Sequence, residues 1–200
     1  MIEAIENCFC DLSILKQGAT VFDLGALNGL FASELARRGF KVVAFEPDPE
    51  GILTIPKEKN INAVRLAVGY PAGKREYYSY APCSGANGFY LNEEMEKTYP
   101  SKKILVKTIT LQDAIRSFGR PDLLKMNIEG SEVDIIMHTP DSILQSIPQM
   151  AISFHAFCGF VTQEQEIECQ DRLRSLGFEL SFHVDEGKGL PEGCNARRRK

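Results

Sequence analysis

The chain has no run approaching the roughly eighteen consecutive apolar residues that a membrane-spanning helix requires. Its opening MIEAIENCFC carries acids rather than a basic stretch ahead of an apolar one. Both absences lead to the expectation of a cytoplasmic protein with no membrane partner. A C-x-x-C pair is also missing. The six cysteines (Cys8, Cys10, Cys83, Cys158, Cys169, Cys194) are scattered, which argues against a zinc site and a disulfide framework, so no metal is expected and the thiols read as reduced packing residues. Only Cys8-Phe9-Cys10 sets two thiols close together, and packing is the plainer reading there too. Positive charge is not in excess. With 23 Lys and Arg against 27 Asp and Glu, the net charge is −4, so the surface as a whole does not attract nucleic acid. The one basic cluster, Ala196 to Lys200, reads as a solvated tail, because so short a run binds a polyanion weakly by itself.

The chain also lacks internal repeats and low-complexity linkers, and its 200 residues are 44% hydrophobic, enough to bury a sizeable core as one domain spanning 1–200. Apolar residues at Ile2, Ile5, Phe9, Leu12 and Leu15 are spaced by three and four, which predicts a lead-in amphipathic helix within residues 1–17. Thr20–Leu24 is a short apolar run suited to a buried strand. Leu30–Arg38 has a helical pattern stopped by Gly39, and Lys41–Phe45 reads as the next strand. The alternation continues with strands at Asn62–Val68, Asp122–Ile128 and Gln149–Phe154, and helices near Leu111–Phe118, Ser131–His138 and Gln163–Leu176. Such alternation implies parallel pairing through right-handed crossovers: a doubly wound, mostly parallel α/β sheet in three layers. Residues 69–103, rich in Tyr, Gly, Pro and Ser, with the strand-like Ile104–Ile109 after them, predict a hairpin-like insertion after the third strand, laid over one end of the sheet as a lid. Phe178–Val184 reads as a strand. The tail 185–200 is Gly-rich at first and could return as a weak last strand.

The stretch VFDLGALNGLF, Val21 to Phe31, marks the candidate site. A turn that leaves a parallel strand and opens a helix lies at the carboxyl edge of the sheet, where α/β folds bind ligands. Glycines there allow close backbone approach and positive φ. The dinucleotide pattern G-x-G-x-x-G and the phosphate-loop pattern G-x-x-x-x-G-K-[ST] are both absent. The turn carries Asp23 just before Gly25 and Gly29, an acid unsuited to pyrophosphate but suited to an ammonium or sulfonium group. Glu46, at the end of the next strand and followed by Pro47, can accept both hydrogen bonds of a ribose diol. An acid, two glycines and a diol-binding carboxylate fit S-adenosyl-L-methionine better than any phosphate-bearing cofactor. The plainer alternative makes Asp23 a helix cap and Glu46 a solvated strand end.

FDLGALNGLFASELARRGFKVVAFEPDPEG resembles the opening of the FkbM family of class I S-adenosylmethionine-dependent methyltransferases, with its D-x-G-A-x-x-G turn and a strand ending in F-E-P. VKTITLQDAI, Val106 to Ile115, is similar to the family's strand and T-L-D segment. LLKMNIEGSEVDII, Leu124 to Ile136, is similar to its K-x-D-x-E-G-x-E segment. The resemblance spans about Val21 to Phe154 and implies a Rossmann-like class I methyltransferase fold. It also implies a cofactor site from Asp23, Gly25, Ala26, Asn28, Gly29, Glu46, Pro47, Ala67 and Val68, and a small-molecule hydroxyl as acceptor.

Methylating a hydroxyl needs alignment of two reactants in a dry site and removal of a proton. In LLKMNIEG, Lys125, Asn127 and Glu129 alternate, so an extended strand points all three to one side. Burying three polar residues on one face is costly without partners, which makes them candidate catalytic residues. The family has Asp where this chain has Asn127, and Asn hydrogen-bonds but takes no proton. The base is then another residue, or the nucleophile needs none, or the protein binds cofactor without catalysis. Glu129 and Glu132 are the nearest carboxylates; Glu132 could equally be a first-turn helix stabiliser. His155, at a strand end with an ordinary pKa near neutrality, is a further candidate base. Tyr77, Tyr78, Tyr80, Phe89 and Tyr90 read as a packed hairpin face, and Ser84 to Phe89 as a segment near substrate. A nicotinamide-dependent oxidoreductase is disfavoured by the missing third glycine. An RNA ribose methyltransferase is disfavoured by Asn127 and by the acidic charge.

Overall fold

A computed structural model describes residues 2–6, 8–81, 84–184 and 191–198; Cys83 and tail residues 185–190 and 199–200 lie outside the described residues. The chain begins with strands β1 (Glu3–Ile5) and β2 (Cys8–Cys10), paired antiparallel, where a helix is predicted from the spacing. The difference has a physical reason. Ile5, Cys8 and Cys10 turn inward onto one face of the main sheet, and this covering contact outweighs a local helical period. Then follow β3 (Thr20–Leu24), α1 (Leu30–Arg37), β4 (Lys41–Phe45), the single turn α2 (Gly51–Thr54) and β5 (Ile61–Val64). The strand predicted over Asn62–Val68 is broken: Leu66 N–H turns back onto the Val64 carbonyl, and β6 (Ala67–Val68) joins a different sheet.

β7 (Gly73–Ser79), α3 (Glu93–Thr98) and β8 (Lys102–Ile109) form the excursion, with β6, β8 and β7 as a three-stranded sheet. α4 (Leu111–Phe118) begins at Thr110, whose hydroxyl accepts from Asp113 N–H at 3.1 Å, a side-chain N-cap that explains the start at the T-L-Q-D segment. β9 (Leu123–Met126), α5 (Ser131–His138), α6 (Asp141–Ser146), β10 (Gln149–Ile152), α7 (Gln163–Ser175), β11 (Phe178–Val184) and β12 (Pro191–Arg198) complete the chain. Thr162 and Gln165 start α7 with a reciprocal capping box.

The main sheet runs β11-β12-β10-β9-β3-β4-β5. β10, β9, β3, β4 and β5 are parallel, and β12 is antiparallel to both β10 and β11. The last strand that the tail could supply is β12, between β10 and β11; it takes in Ala196, Arg197 and Arg198 of the basic cluster, and the two arginines stay exposed. Ala196 is fully buried, and Asn195 Nδ2 donates to Gln149 Oε1 at 2.9 Å and to the Phe9 carbonyl at 3.1 Å. The pairing of β12 with two strands is a non-local event that a run of arginines does not announce.

The strand residues alternate. Phe22, Leu24, Phe45, Leu124, Met126 and Ile152 pack under α4 to α7, and Val21, Val42, Ala44, Leu123 and Ala151 pack under α1 and the β1–β2 hairpin. Each fully buried large side chain contributes about 1.5–3 kcal/mol. Asp23 and Lys125 face each other across β3 and β9 on the hairpin-covered face, both almost wholly buried and 2.8 Å apart. Burial opposes the Lys125 charge most strongly, but Asp23, Cys8 and Glu6 together hold the ammonium above its ordinary pKa. Lys125 also donates to the carbonyls of Leu24 and Gly25 at 3.2 and 2.7 Å.

Removing one partner of this pair should be far worse than removing both. Lys125→Ala is expected to lower unfolding free energy by about 3–5 kcal/mol in urea titrations, while Asp23→Leu with Lys125→Met should restore most of the loss. A single variant as stable as the wild type would show that the two charges are not buried together.

Candidate functional site

β4 and β9 flank β3 on opposite sides, so the crossovers leaving β3 and β9 part there and open a crevice at their carboxyl ends. The turn after β3 forms one wall. Gly25 has φ +74°, and its N–H and that of Ala26 both donate to the Phe45 carbonyl at 3.0 Å. A Cβ on Gly25 would lie 2.3 Å from the Asn127 carbonyl oxygen, so only glycine fits between the ends of β4 and β9. Gly29 has a different task. It caps α1 at φ +77° and packs against Pro56 and Ile55.

A partly open cavity occupies the crevice. Of the cofactor residues expected from the sequence, Gly25, Glu46, Pro47, Ala67 and Val68 line it, together with Asn127 and Glu129. Asp23, Ala26, Asn28 and Gly29 do not border it. Asp23 is turned away under the hairpin against Lys125, Ala26 is core, and Asn28 Oδ1 accepts from Leu30 N–H at 3.3 Å. Lys125 and His155 are not in the lining either. The strand β9 ends at Met126, and Glu129 has φ +53°, so Lys125, Asn127 and Glu129 do not share one extended face.

Glu46 is 5% exposed. Its Oε2 accepts from Leu27 N–H at 2.8 Å and its Oε1 from Asp48 N–H at 2.9 Å, leaving lone pairs on both oxygens for a ligand. Burial pushes its pKa up to about 7 against the pull of those two amides. Asp48, which the sequence reading passed over, latches the excursion over the crevice. Its Oδ1 accepts from Glu50 and Gly51 N–H, and its Oδ2 from Ser79 Oγ at 3.1 Å and Asn87 Nδ2 at 3.2 Å. Asn87 in turn accepts from Tyr80 N–H, and Tyr77 Oη donates to the Asn87 carbonyl. Ser84, Gly85, Asn87, Gly88 and Phe89 therefore border the cavity, and Tyr77 lines it while packing edge-on to Phe89.

Glu129, also in the lining, faces His155 Nε2 at 3.3 Å, and His155 Nδ1 lies 3.1 Å from Glu132 Oε1. Burial disfavours a charged imidazole, but Glu132 first and Glu129 with it reverse the balance and hold His155 well above 6.5. Glu132 is buried and accepts from Ile128 N–H at 2.6 Å and Gly130 N–H at 2.9 Å, a more specific task than stabilising a helix dipole. Ser131, Leu27, Phe45 and Ile128 also line the cavity and were missed; Ile128 and Ser131 lie inside the K-x-D-x-E-G-x-E segment, so proximity to Glu129 was the signal. Ser131 Oγ is buried with no hydrogen-bond partner among the described residues.

The chemistry of this lining suits S-adenosylmethionine. Phe45, Ala67, Val68 and Ile128 offer an apolar bed, while Glu46, Asp48 and Glu129 supply acids and, among the described residues, no Lys or Arg borders the space, a lining suited to a cation rather than a pyrophosphate.

A family model described as the methyltransferase FkbM domain matches residues 23–180. The AMB antimetabolite synthetase AmbE of Pseudomonas aeruginosa is 27% identical over 218 residues, an alignment covering 86% of this chain and 10% of AmbE; the chain thus spans about a tenth of that relative's length. Among solved structures, the fibrillarin pre-rRNA processing protein of Methanococcus jannaschii superposes with a TM-score of 0.53 at 13% identity, over 98% of this chain and 69% of that one. A putative rRNA-methylase from Clostridium thermocellum gives 0.52 at 11% identity, over 93% and 90%. At such identities these structures establish the fold alone, a Rossmann-like class I methyltransferase fold.

Because the folded state raises the Glu46 pKa, its protonated form stabilises the protein below the ordinary carboxylate range, and that stability is lost as pH rises through about 7. Glu46→Gln should remove this loss, gaining on the order of 3 kcal/mol over the wild type at pH 8 and little at pH 4.5 in urea unfolding. Parallel stability profiles for the two proteins would contradict the burial of an ionised Glu46.

Proposed function

We propose that this chain, which belongs to the FkbM methyltransferase-domain family, is an S-adenosylmethionine-dependent O-methyltransferase acting on a hydroxyl of a small molecule such as a sugar or secondary metabolite. The observation that carries the reading is that the carboxylates of Glu46 and Glu129, with Asp48, line one cavity at the switch point of the sheet, with no Lys or Arg in its lining among the described residues. When bound, S-adenosylmethionine supplies an electrophilic methyl carbon on its sulfonium. Glu46, already oriented by Leu27 and Asp48 N–H, would accept the ribose hydroxyls through its free lone pairs. Gly25 gives the ligand close access to backbone, and Phe45, Val68 and Ile128 keep water from the reacting atoms.

Glu129 would serve as the general base. An acceptor hydroxyl within hydrogen-bond reach of its carboxylate would give up its proton to that oxygen as the new oxygen–carbon bond forms and the carbon–sulfur bond of the sulfonium breaks, leaving a neutral ether, a neutral thioether and a protonated Glu129. Asn127, where the family has Asp, keeps the capacity to orient the hydroxyl but not to take its proton. His155, held as its cation between two acids, has no free lone pair to serve as the base. Asn127 also favours a second reading, a cofactor-binding protein without transferase activity.

Two measurements separate these readings. Calorimetric titration should show S-adenosylhomocysteine binding in preference to NAD, and Glu46→Ala should weaken it by about 1.5 kcal/mol or more. Failure to bind the thioether while folded would remove the methyltransferase reading. In a screen of hydroxylated acceptors, Glu129→Gln should lower kcat by about 10²–10⁴-fold with the thioether affinity unchanged. Intact binding with no turnover of any acceptor by the wild type would favour the non-catalytic alternative.

A further inference from the structure

We infer that His155 and Glu132 are positioning residues for Glu129, with His155 serving as a standing cation rather than as the proton acceptor; this rests on the reading of Glu129 as the base. The backbone sets the problem. Glu129 at φ +53° and Gly130 at φ +94° are consecutive left-handed residues between the end of β9 and the start of α5, a conformation costly for a glutamate. Glu132 braces that bend from within. One carboxylate oxygen takes Ile128 N–H and the other Gly130 N–H, the amides on either side of Glu129. The same Glu132 Oε1 stands 3.1 Å from His155 Nδ1, and His155 Nε2 stands 3.3 Å from Glu129 Oε1. Backbone, Glu132, His155 and the Glu129 side chain thus close a ring that ends at the cavity.

The protonation state follows from this geometry. A neutral imidazole has one N–H and one lone pair, so with a carboxylate oxygen near each ring nitrogen it would set a lone pair against an anion on one side; only the imidazolium turns a proton toward both, the approach of Nδ1 to Glu132 being an ion pair without hydrogen-bond geometry. Glu166 on α7 adds a third carboxylate facing the ring, and Cys158 lies in the ring's own loop. Phe157 and Phe160 flank the imidazole, which is 5% exposed. A buried cation between acids gives Glu129 a fixed partner on one side and leaves its other lone pairs to the cavity.

The test combines a spectroscopic readout with kinetics. In ¹⁵N-histidine spectra of the full chain, His155, assigned by the signal lost in His155→Gln, should remain an imidazolium through pH 8, and Glu132→Gln should let it titrate at lower pH. His155→Gln should lower kcat roughly tenfold or more while S-adenosylhomocysteine affinity stays within about twofold, with His155→Lys recovering part of the loss because a cation is restored. A wild-type His155 that titrates near its ordinary 6.5, or a lysine variant no better than the glutamine one, would overturn the inference. If the wild type transfers no methyl group, the proposed activity fails while the ring-nitrogen spectra still decide whether the cation stands.

Discussion

Gly25 runs so close to the Asn127 carbonyl that no side chain fits between them, and the rest of the site is arranged around that approach. The turn is held from two sides. Phe45 at the end of β4 accepts from Gly25 and Ala26 N–H, and Lys125 on β9 donates to the Leu24 and Gly25 carbonyls. With three strand ends drawn together at one turn, the crevice opens where the crossovers from β3 and β9 part, and the Glu46 amide contacts follow from where Leu27 is left by the turn. A larger residue at position 25 would push β9 away from β3 and separate the two walls of the cavity.

Two buried charge groups flank that turn and behave differently. The Asp23–Lys125 pair lies beneath it on the face covered by the hairpin, with its charges matched and its ammonium spent on backbone carbonyls. It is architecture: the strand ends are pinned by a cation that has no reach into the cavity. Glu129, His155 and Glu132 lie at the opposite wall, where the outermost carboxylate borders the cavity. Between them the excursion is latched to Asp48 by Ser79 and Asn87, so the acid that follows the Glu46 strand also anchors the segment that roofs the site.

The core alternation, the strand–helix–strand unit from Thr20 to Phe45 and the helices α4, α5 and α7 were legible because each has a strong local signal: apolar runs, caps and glycine stops. The placement of Gly25, Glu46 and Glu129 on one cavity was legible because a turn after a parallel strand lies at the carboxyl edge. Less was readable where burial is shared across distant segments. Ile2 to Leu15 keeps a helical spacing, yet its inward residues serve a hairpin, and Asn195 and Ala196 are buried between two strands although the arginines beside them are exposed.

The sequence by itself determined the order of elements, the doubly wound class and the motif that places the chain in its family, since these depend on periodicity and on residues close in the chain. Only the tertiary structure decided which polar groups meet. Asp23 carries the right charge for a sulfonium partner, but β9 brings Lys125 opposite it, and in a buried setting a charge 2.8 Å away takes up that carboxylate. His155 carries the ordinary pKa of a base, but two carboxylates from the start of α5 surround its ring and make it a cation. Side-chain direction and charge matching are set by strand register and helix packing between segments that lie apart in the chain, and no local pattern encodes them.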